Sequence, residues 1–211
     1  MKEREVKIKI CGMRDADNLR AVAALQPDYF GLIFYKKSPR YISPEEAVNL
    51  PHFFGLIPVG VFVNETVEKM QQIVKQVKLP VIQLHGDESP EVCAEVKNTR
   101  PEPKVIKGFS VDENFDGSRL AAYEEACDYF LFDTKTAKPG GSGESFDWSI
   151  LRNFPIRRPF FLSGGLGLEN VNEAIKSCKR LPLYGIDLNS KVEISPGMKS
   201  PQLVKKLIKS L

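Results

Sequence analysis

The sequence predicts a single (β/α)8 barrel spanning residues 1–211, and two observations carry that expectation. Short runs rich in β-branched and aromatic residues alternate with longer amphipathic runs from one end of the chain to the other. Several short runs, such as Val59-Gly60-Val61-Phe62-Val63 and Phe130-Leu131-Phe132, are almost wholly apolar. Strands become so when helices cover one face and a filled barrel interior covers the other.

The strand-like runs fall at 6–11, 29–34, 58–63, 81–85, 104–109, 129–133, 160–163 and 183–188. Each is followed by a helix-like pattern, at 15–25, 44–50, 66–77, 90–97, 119–126, 148–152, 168–178 and 201–211. Asp15, Ser43 before Pro44, Ser89 before Pro90 and Ser200 before Pro201 stand where helix starts need a side-chain acceptor for unpaired N–H groups. Asn64-Glu65-Thr66 has the form of a glycosylation sequon but reads as another helix start. An open doubly wound sheet is the competing fold. It is disfavoured because the first strand ends in Cys11-Gly12-Met13-Arg14 and neither nucleotide-binding glycine pattern occurs. Closing eight strands also removes both sheet edges.

Composition narrows the function classes. Hydrophobic residues make up 42% and charged residues 27%, as in packed globular chains. With 30 basic against 27 acidic residues, the net charge of +3 argues against nucleic acid or an anionic membrane as partner. No run approaches the roughly 20 apolar residues needed to span a bilayer. The N-terminal run is charged, without the apolar core of a signal peptide, so a cytoplasmic location is expected. Cys11, Cys93, Cys127 and Cys178 are scattered, with no metal-binding spacing, which also fits a reducing compartment. Monomer and homodimer both remain open.

In a barrel of this kind, chemistry gathers at the C-terminal ends of the strands. Those ends carry Cys11, the segment Ser38-Pro39-Arg40, His85, Asp133, Ser163-Gly164-Gly165 and the stretch from Asp187 to Ser190. Gly164 and Gly165 remove side chains where the seventh strand turns, so backbone N–H groups can approach an anion closely. With Asn189 and Ser190 after the eighth strand, they form the expected phosphate site. A glycine-rich segment at 136–144 has the composition of a loop able to close over a substrate. It contains Gly141-Ser142-Gly143, but Glu144 breaks the hydrolase pattern.

Eight short motifs occur in a telling order: Lys9-Ile10-Cys11-Gly12-Met13, Ser38-Pro39-Arg40-Tyr41-Ile42-Ser43, Gly60-Val61-Phe62-Val63-Asn64, Gln83-Leu84-His85-Gly86, Leu131-Phe132-Asp133-Thr134, Phe146-Asp147-Trp148, Ser163-Gly164-Gly165-Leu166 and Ser195-Pro196-Gly197. Taken together, across nearly the whole chain, they resemble the phosphoribosylanthranilate isomerases of tryptophan biosynthesis. The resemblance implies an Amadori rearrangement of a small sugar-phosphate substrate, without metal or redox cofactor. It assigns general acid to Asp133, general base to Cys11 and the grip on the anthranilate carboxylate to Arg40. His85 matches a family position at the site, where substrate contact and a structural role both stay open, and Asp187 at the end of the eighth strand is a further candidate contact. The stretch 185–193 departs from the family pattern, with Asn189, Ser190 and Lys191 where two small residues and a glycine are usual.

Each catalytic group starts in the wrong protonation state. An Asp near about 3.9 is ionised at neutral pH and a Cys near about 8.5 is a thiol, so the site must shift both. Rival barrel enzymes fit less well. A metal-dependent epimerase needs more histidine ligands than His52 and His85 supply, and an indole-glycerol-phosphate synthase would use a lysine acid. A non-catalytic phosphate sensor has no need of Cys11 with Asp133.

Overall fold

The structure, a computed structural model, describes residues 5–50, 55–134 and 147–211. His52 and the glycine-rich segment 136–144 lie outside the described residues. The strands are β1 (Lys7–Ile10), β2 (Tyr29–Ile33), β3 (Ile57–Phe62), β4 (Val81–Leu84), β5 (Lys104–Val111), β6 (Tyr129–Thr134), β7 (Phe160–Leu162) and β8 (Leu183–Leu188). They form a closed barrel in chain order, every neighbouring pair parallel, and β8 returns to β1 in the register Lys9↔Asp187.

Side chains alternate across this wall. Ile8, Ile10, Phe130, Phe132, Phe160 and Leu162 point outward into the main core shared with the helices. Tyr29, Val59, Val81, Ile106, Leu131 and Phe161 point inward and fill the N-terminal half of the barrel, with Tyr129 and Tyr184 packed beneath. Burial of each such side chain contributes roughly 1.5–3 kcal/mol. The plug leaves the opposite mouth as the place where a ligand fits.

The connections carry α1 (Ala16–Ala23), α2 (Pro44–Val48), α3 (Val67–Val77), α4 (Pro90–Lys97), α5 (Val171–Ser177) and α6 (Pro201–Ser210). The expected caps are in place: the side chains of Asp15, Ser43, Ser89 and Ser200 each accept a backbone N–H of the first turn, as does Thr66 at α3. Two expected helices form 3-10 turns instead, Gly117–Tyr123 and Trp148–Asn153. Their buried apolar residues are Leu120 with Tyr123 and Trp148 with Leu151. A three-residue spacing that does not continue matches three residues per turn rather than 3.6. A hairpin absent from the sequence reading, β9 (Glu193–Ser195) with β10 (Met198–Lys199), follows β8.

Candidate active site

A cavity of about 370 Å³ opens at the C-terminal strand ends, within the size range of small-ligand sites. Period-two alternation delivers its side chains: Cys11 lies two residues beyond Lys9, His85 two beyond Gln83, and Asp133 two beyond Leu131. Cys11, His85, Asp133 and Asp187 all line it, and so do Gly164, Gly165, Asn189 and Ser190 from the last two loops. Space for the reactive groups comes from bare neighbours. A Cβ on Gly31 would stand 2.7 Å from Cys11 Sγ, and one on Gly108 would stand 2.6 Å from His85 Nδ1.

Asp133 is held on both oxygens. Oδ1 accepts the Thr134 N–H at 2.9 Å, and Oδ2 lies 3.2 Å from His85 Nε2. His85 Nδ1 is in turn 3.0 Å from the Gln83 side-chain amide, whose Oε1 is buried without a partner. Such a chain has two consistent proton arrangements. With the Gln83 amide donating to Nδ1, His85 Nε2–H donates to the Asp133 carboxylate. With the amide turned over, Nδ1–H donates to Oε1 and Nε2 accepts a hydrogen bond from the O–H of protonated Asp133. The structure thus gives His85 a partner in Asp133, and adds Gln83, which the sequence reading passed over although its place two residues before His85 puts it on the same face.

Beneath Cys11, Lys9 Nζ is 2.9 Å from Asp187 Oδ1, and Lys9 is wholly buried. Burial works to strip the Lys9 proton, but Asp187 and Cys11 outweigh it and keep the ammonium charged. Burial pushes Asp187 up against the pull of Lys9. The Cys11 thiol is likewise pushed up by burial, while Lys9 and Lys199 pull it down. Cys11 therefore rests as a thiol, and Lys9 and Lys199 are the cations that favour its thiolate.

In the loop after β7, Gly164 and Gly165 have φ of +88° and +62°, which suits glycine. A Cβ on Gly164 would also strike the Thr134 backbone N–H at 2.6 Å. Asn170 secures this turn, its amide donating to Gly165 O and accepting from Gly167 N–H, and α5 begins only after it. Lys191 borders the cavity and pairs with Glu169 at 3.3 Å.

Arg40 departs from the expected free grip. It is not among the cavity-lining residues, and its Nε and Nη2 are bonded to Glu193 at 2.9 and 2.7 Å. A guanidinium this buried requires a counter-charge, and Glu193 supplies it. Glu193 and Lys199 had no signal in the sequence, because the hairpin that carries them meets Arg40 across 153 positions. Among the described residues no cluster of three or more His, Cys, Asp or Glu is placed to hold a metal.

A closed parallel barrel whose polar groups converge on a cavity at the C-terminal strand ends is the architecture of a (β/α)8-barrel enzyme. Residues 8–210 match the family model described as N-(5'phosphoribosyl)anthranilate (PRA) isomerase. The N-(5'-phosphoribosyl)anthranilate isomerase of Parabacteroides distasonis is 42% identical over 207 residues, covering 97% of this chain and 92% of its own. Among solved structures, the phosphoribosyl anthranilate isomerase of Thermotoga maritima has a TM-score of 0.84 at 38% identity, covering 97% of both chains. A phosphoribosyl anthranilate isomerase solved in complex with reduced 1-(o-carboxyphenylamino)-1-deoxyribulose 5-phosphate has a TM-score of 0.80 at 36% identity, again over 97% of both chains. The chain belongs to this family of aldose-ketose isomerases. Among the described residues no helix is long and apolar enough to cross a membrane.

Proposed function

We propose that the chain converts N-(5'-phosphoribosyl)anthranilate to 1-(2-carboxyphenylamino)-1-deoxyribulose 5-phosphate in tryptophan biosynthesis, with Asp133 as general acid and Cys11 as general base. The observation that carries this reading is that Cys11 of the β1 end and Asp133 of the β6 end face one cavity bordered by the β7 and β8 loops. Protonated Asp133 gives its proton to the ribose ring oxygen as the C1′–O bond breaks, leaving an open chain with an iminium ion. The Cys11 thiolate then removes the C2′ proton, and the C–H electron pair forms the C1′=C2′ bond of an enol-amine that tautomerises to the ketone. Asp133 ends ionised and Cys11 protonated, and the two groups exchange protons with water before the next turnover.

His85 and Gln83 support the acid by providing a hydrogen-bonded arrangement for either state of Asp133. Lys9 supports the base as the nearest buried cation. Gly164, Gly165, Asn189 and Ser190 hold the phosphate, and the far end of the Arg40 fork takes the anthranilate carboxylate. The reaction draws on no metal or redox cofactor, takes place within residues 1–211 as one unit, and suits the reducing cytoplasm.

The test is direct turnover of phosphoribosylanthranilate by the purified protein, with and without chelator. Cys11→Ala and Asp133→Asn should each lower kcat by about 10²- to 10⁴-fold, the range of a single acid or base. Undiminished turnover in both variants would overturn the assignment.

A further inference from the structure

Arg40 is held from several sides. Glu193 accepts from Nε through both carboxylate oxygens, at 2.9 and 3.1 Å, and from Nη2 at 2.7 Å. The same carboxylate accepts from Lys199 Nζ at 2.7 Å and from the Gly197 N–H at 3.0 Å. Lys199 reaches on to Asn189, whose side-chain oxygen it meets at 2.7 Å. Both Arg40 and Asn189 pack over Gly12, where a Cβ would stand 2.8 Å from Arg40 Cδ and 3.1 Å from Asn189 Oδ1. The hairpin β9–β10 therefore joins the loop after β2 to the loop after β8 through one carboxylate and one ammonium.

A guanidinium has two edges that can each bind a carboxylate in bidentate fashion, Nε with one terminal nitrogen and the two terminal nitrogens together. Glu193 takes the first edge. Nη1 has no hydrogen-bond partner among the described residues, so the terminal edge remains for a second anion. Burial pulls the Lys199 pKa down while Glu193 holds it up; with that ammonium charged, Arg40, Lys199 and Glu193 together carry one positive charge in excess, which an anionic ligand would balance. Burial works against the Glu193 charge, yet Arg40 and Lys199 hold its carboxyl below the ordinary range, so it is ionised at neutral pH.

We propose that Glu193 is a positioning residue for the reaction: it fixes the inner edge of Arg40 so that the outer edge meets the aryl carboxylate of the substrate, with Lys199 tying this hold to Asn189 at the phosphate loop. This rests on the reading of Arg40 given above. Because Glu193 acts through Arg40 on bound substrate and not on the reacting atoms, its loss weakens binding more than chemistry.

The experiment is a double-mutant cycle on the full chain with phosphoribosylanthranilate as substrate: wild type, Arg40→Gln, Glu193→Gln and the pair. Glu193→Gln is expected to raise KM by roughly 10- to 100-fold and to change kcat by less than about threefold. In the Arg40→Gln background, the same substitution should change KM by less than about threefold, since the residue through which it acts is gone. Glu193→Asp, which keeps the charge, should recover part of the lost KM, and it replaces Glu193→Gln in the cycle should that variant fail to fold. Independent, multiplicative effects of the two substitutions on KM, or a Glu193 variant that lowers kcat alone, would overturn the proposal while leaving the isomerase reading intact. A wild-type protein that turns over no substrate would overturn both. An Arg40→Gln variant with unchanged KM would remove Arg40 as the carboxylate grip, and Glu193 with it, while the Cys11 and Asp133 roles stand.

Discussion

Lys107 on β5 and Lys9 on β1 are both sealed strand lysines facing a buried carboxylate at nearly the same distance, 3.0 Å to Glu88 and 2.9 Å to Asp187. Their surroundings differ. Lys107 points outward to the helix layer, where its ammonium also donates to the carbonyls of Gly86 at 2.7 Å and Gly108 at 3.0 Å. Glu88 accepts in turn from the N–H groups of Asn64 and Gly86. An ammonium has three donors, and here each has an acceptor. The pair is spent on tying the loops after β3 and β4 to β5. Lys9 points inward beneath Cys11, and its ammonium is shared between the Asp187 carboxylate and the thiol. A buried charge with every donor saturated ties segments together; one that leaves part of its field to a neighbouring thiol also acts on that thiol's ionisation.

Substitution of each lysine by methionine puts that distinction at risk. Lys107→Met leaves Glu88 buried without its cation, a change that costs about 3–5 kcal/mol. Urea unfolding should show this loss while kcat/KM of the folded protein stays near wild type. A Lys107→Met protein whose turnover falls more than its stability would erase the contrast. Lys9→Met should do the reverse. Burial already pushes Asp187 toward its neutral acid, so without Lys9 it takes up a proton rather than standing as a bare anion, and the stability loss is smaller, about 1–2 kcal/mol. The thiolate of Cys11 loses its nearest buried cation, so kcat/KM at neutral pH should fall by roughly 10- to 100-fold. Unchanged turnover in Lys9→Met would show that the ammonium serves packing alone.

Much of this site was legible in the sequence because it is written in period two. Strand ends at Cys11, His85, Asp133 and Asp187 follow from the alternating runs, and the cavity gathers all four. The glycine pair at 164 and 165 announces by itself the tight turn after β7, where both residues take positive φ. What stayed hidden depends on contacts between distant segments. Nothing near Glu193 in the sequence points to Arg40, and an arginine in a loop carries no sign of which edge of its fork is already taken. The 3-10 turns were missed for a local reason: two apolar residues three apart fit both helix types, and only the lack of a further turn separates them.

The thiol above Lys9 also ties stability to pH. Burial holds the Cys11 pKa above its unfolded value, which lies near about 8.5. Below that pH both states keep the proton and the contribution is fully present. Above it the unfolded chain releases the proton while the folded chain retains it, so the folded state binds more protons and stability falls as pH rises. The fall continues until the folded thiol itself ionises, with a slope of at most about 1.4 kcal/mol per pH unit. Cys11→Ala removes this slope. Urea titrations from about pH 7 to 10 should therefore show wild type and Cys11→Ala diverging on the alkaline side, with the variant flatter. Lys9→Met removes a cation that pulls the thiol down, so its fall should extend to higher pH than in wild type. Parallel curves for wild type and Cys11→Ala would mean that the barrel does not hold the thiol proton, and that the Cys11 thiolate forms as readily inside the cavity as in water.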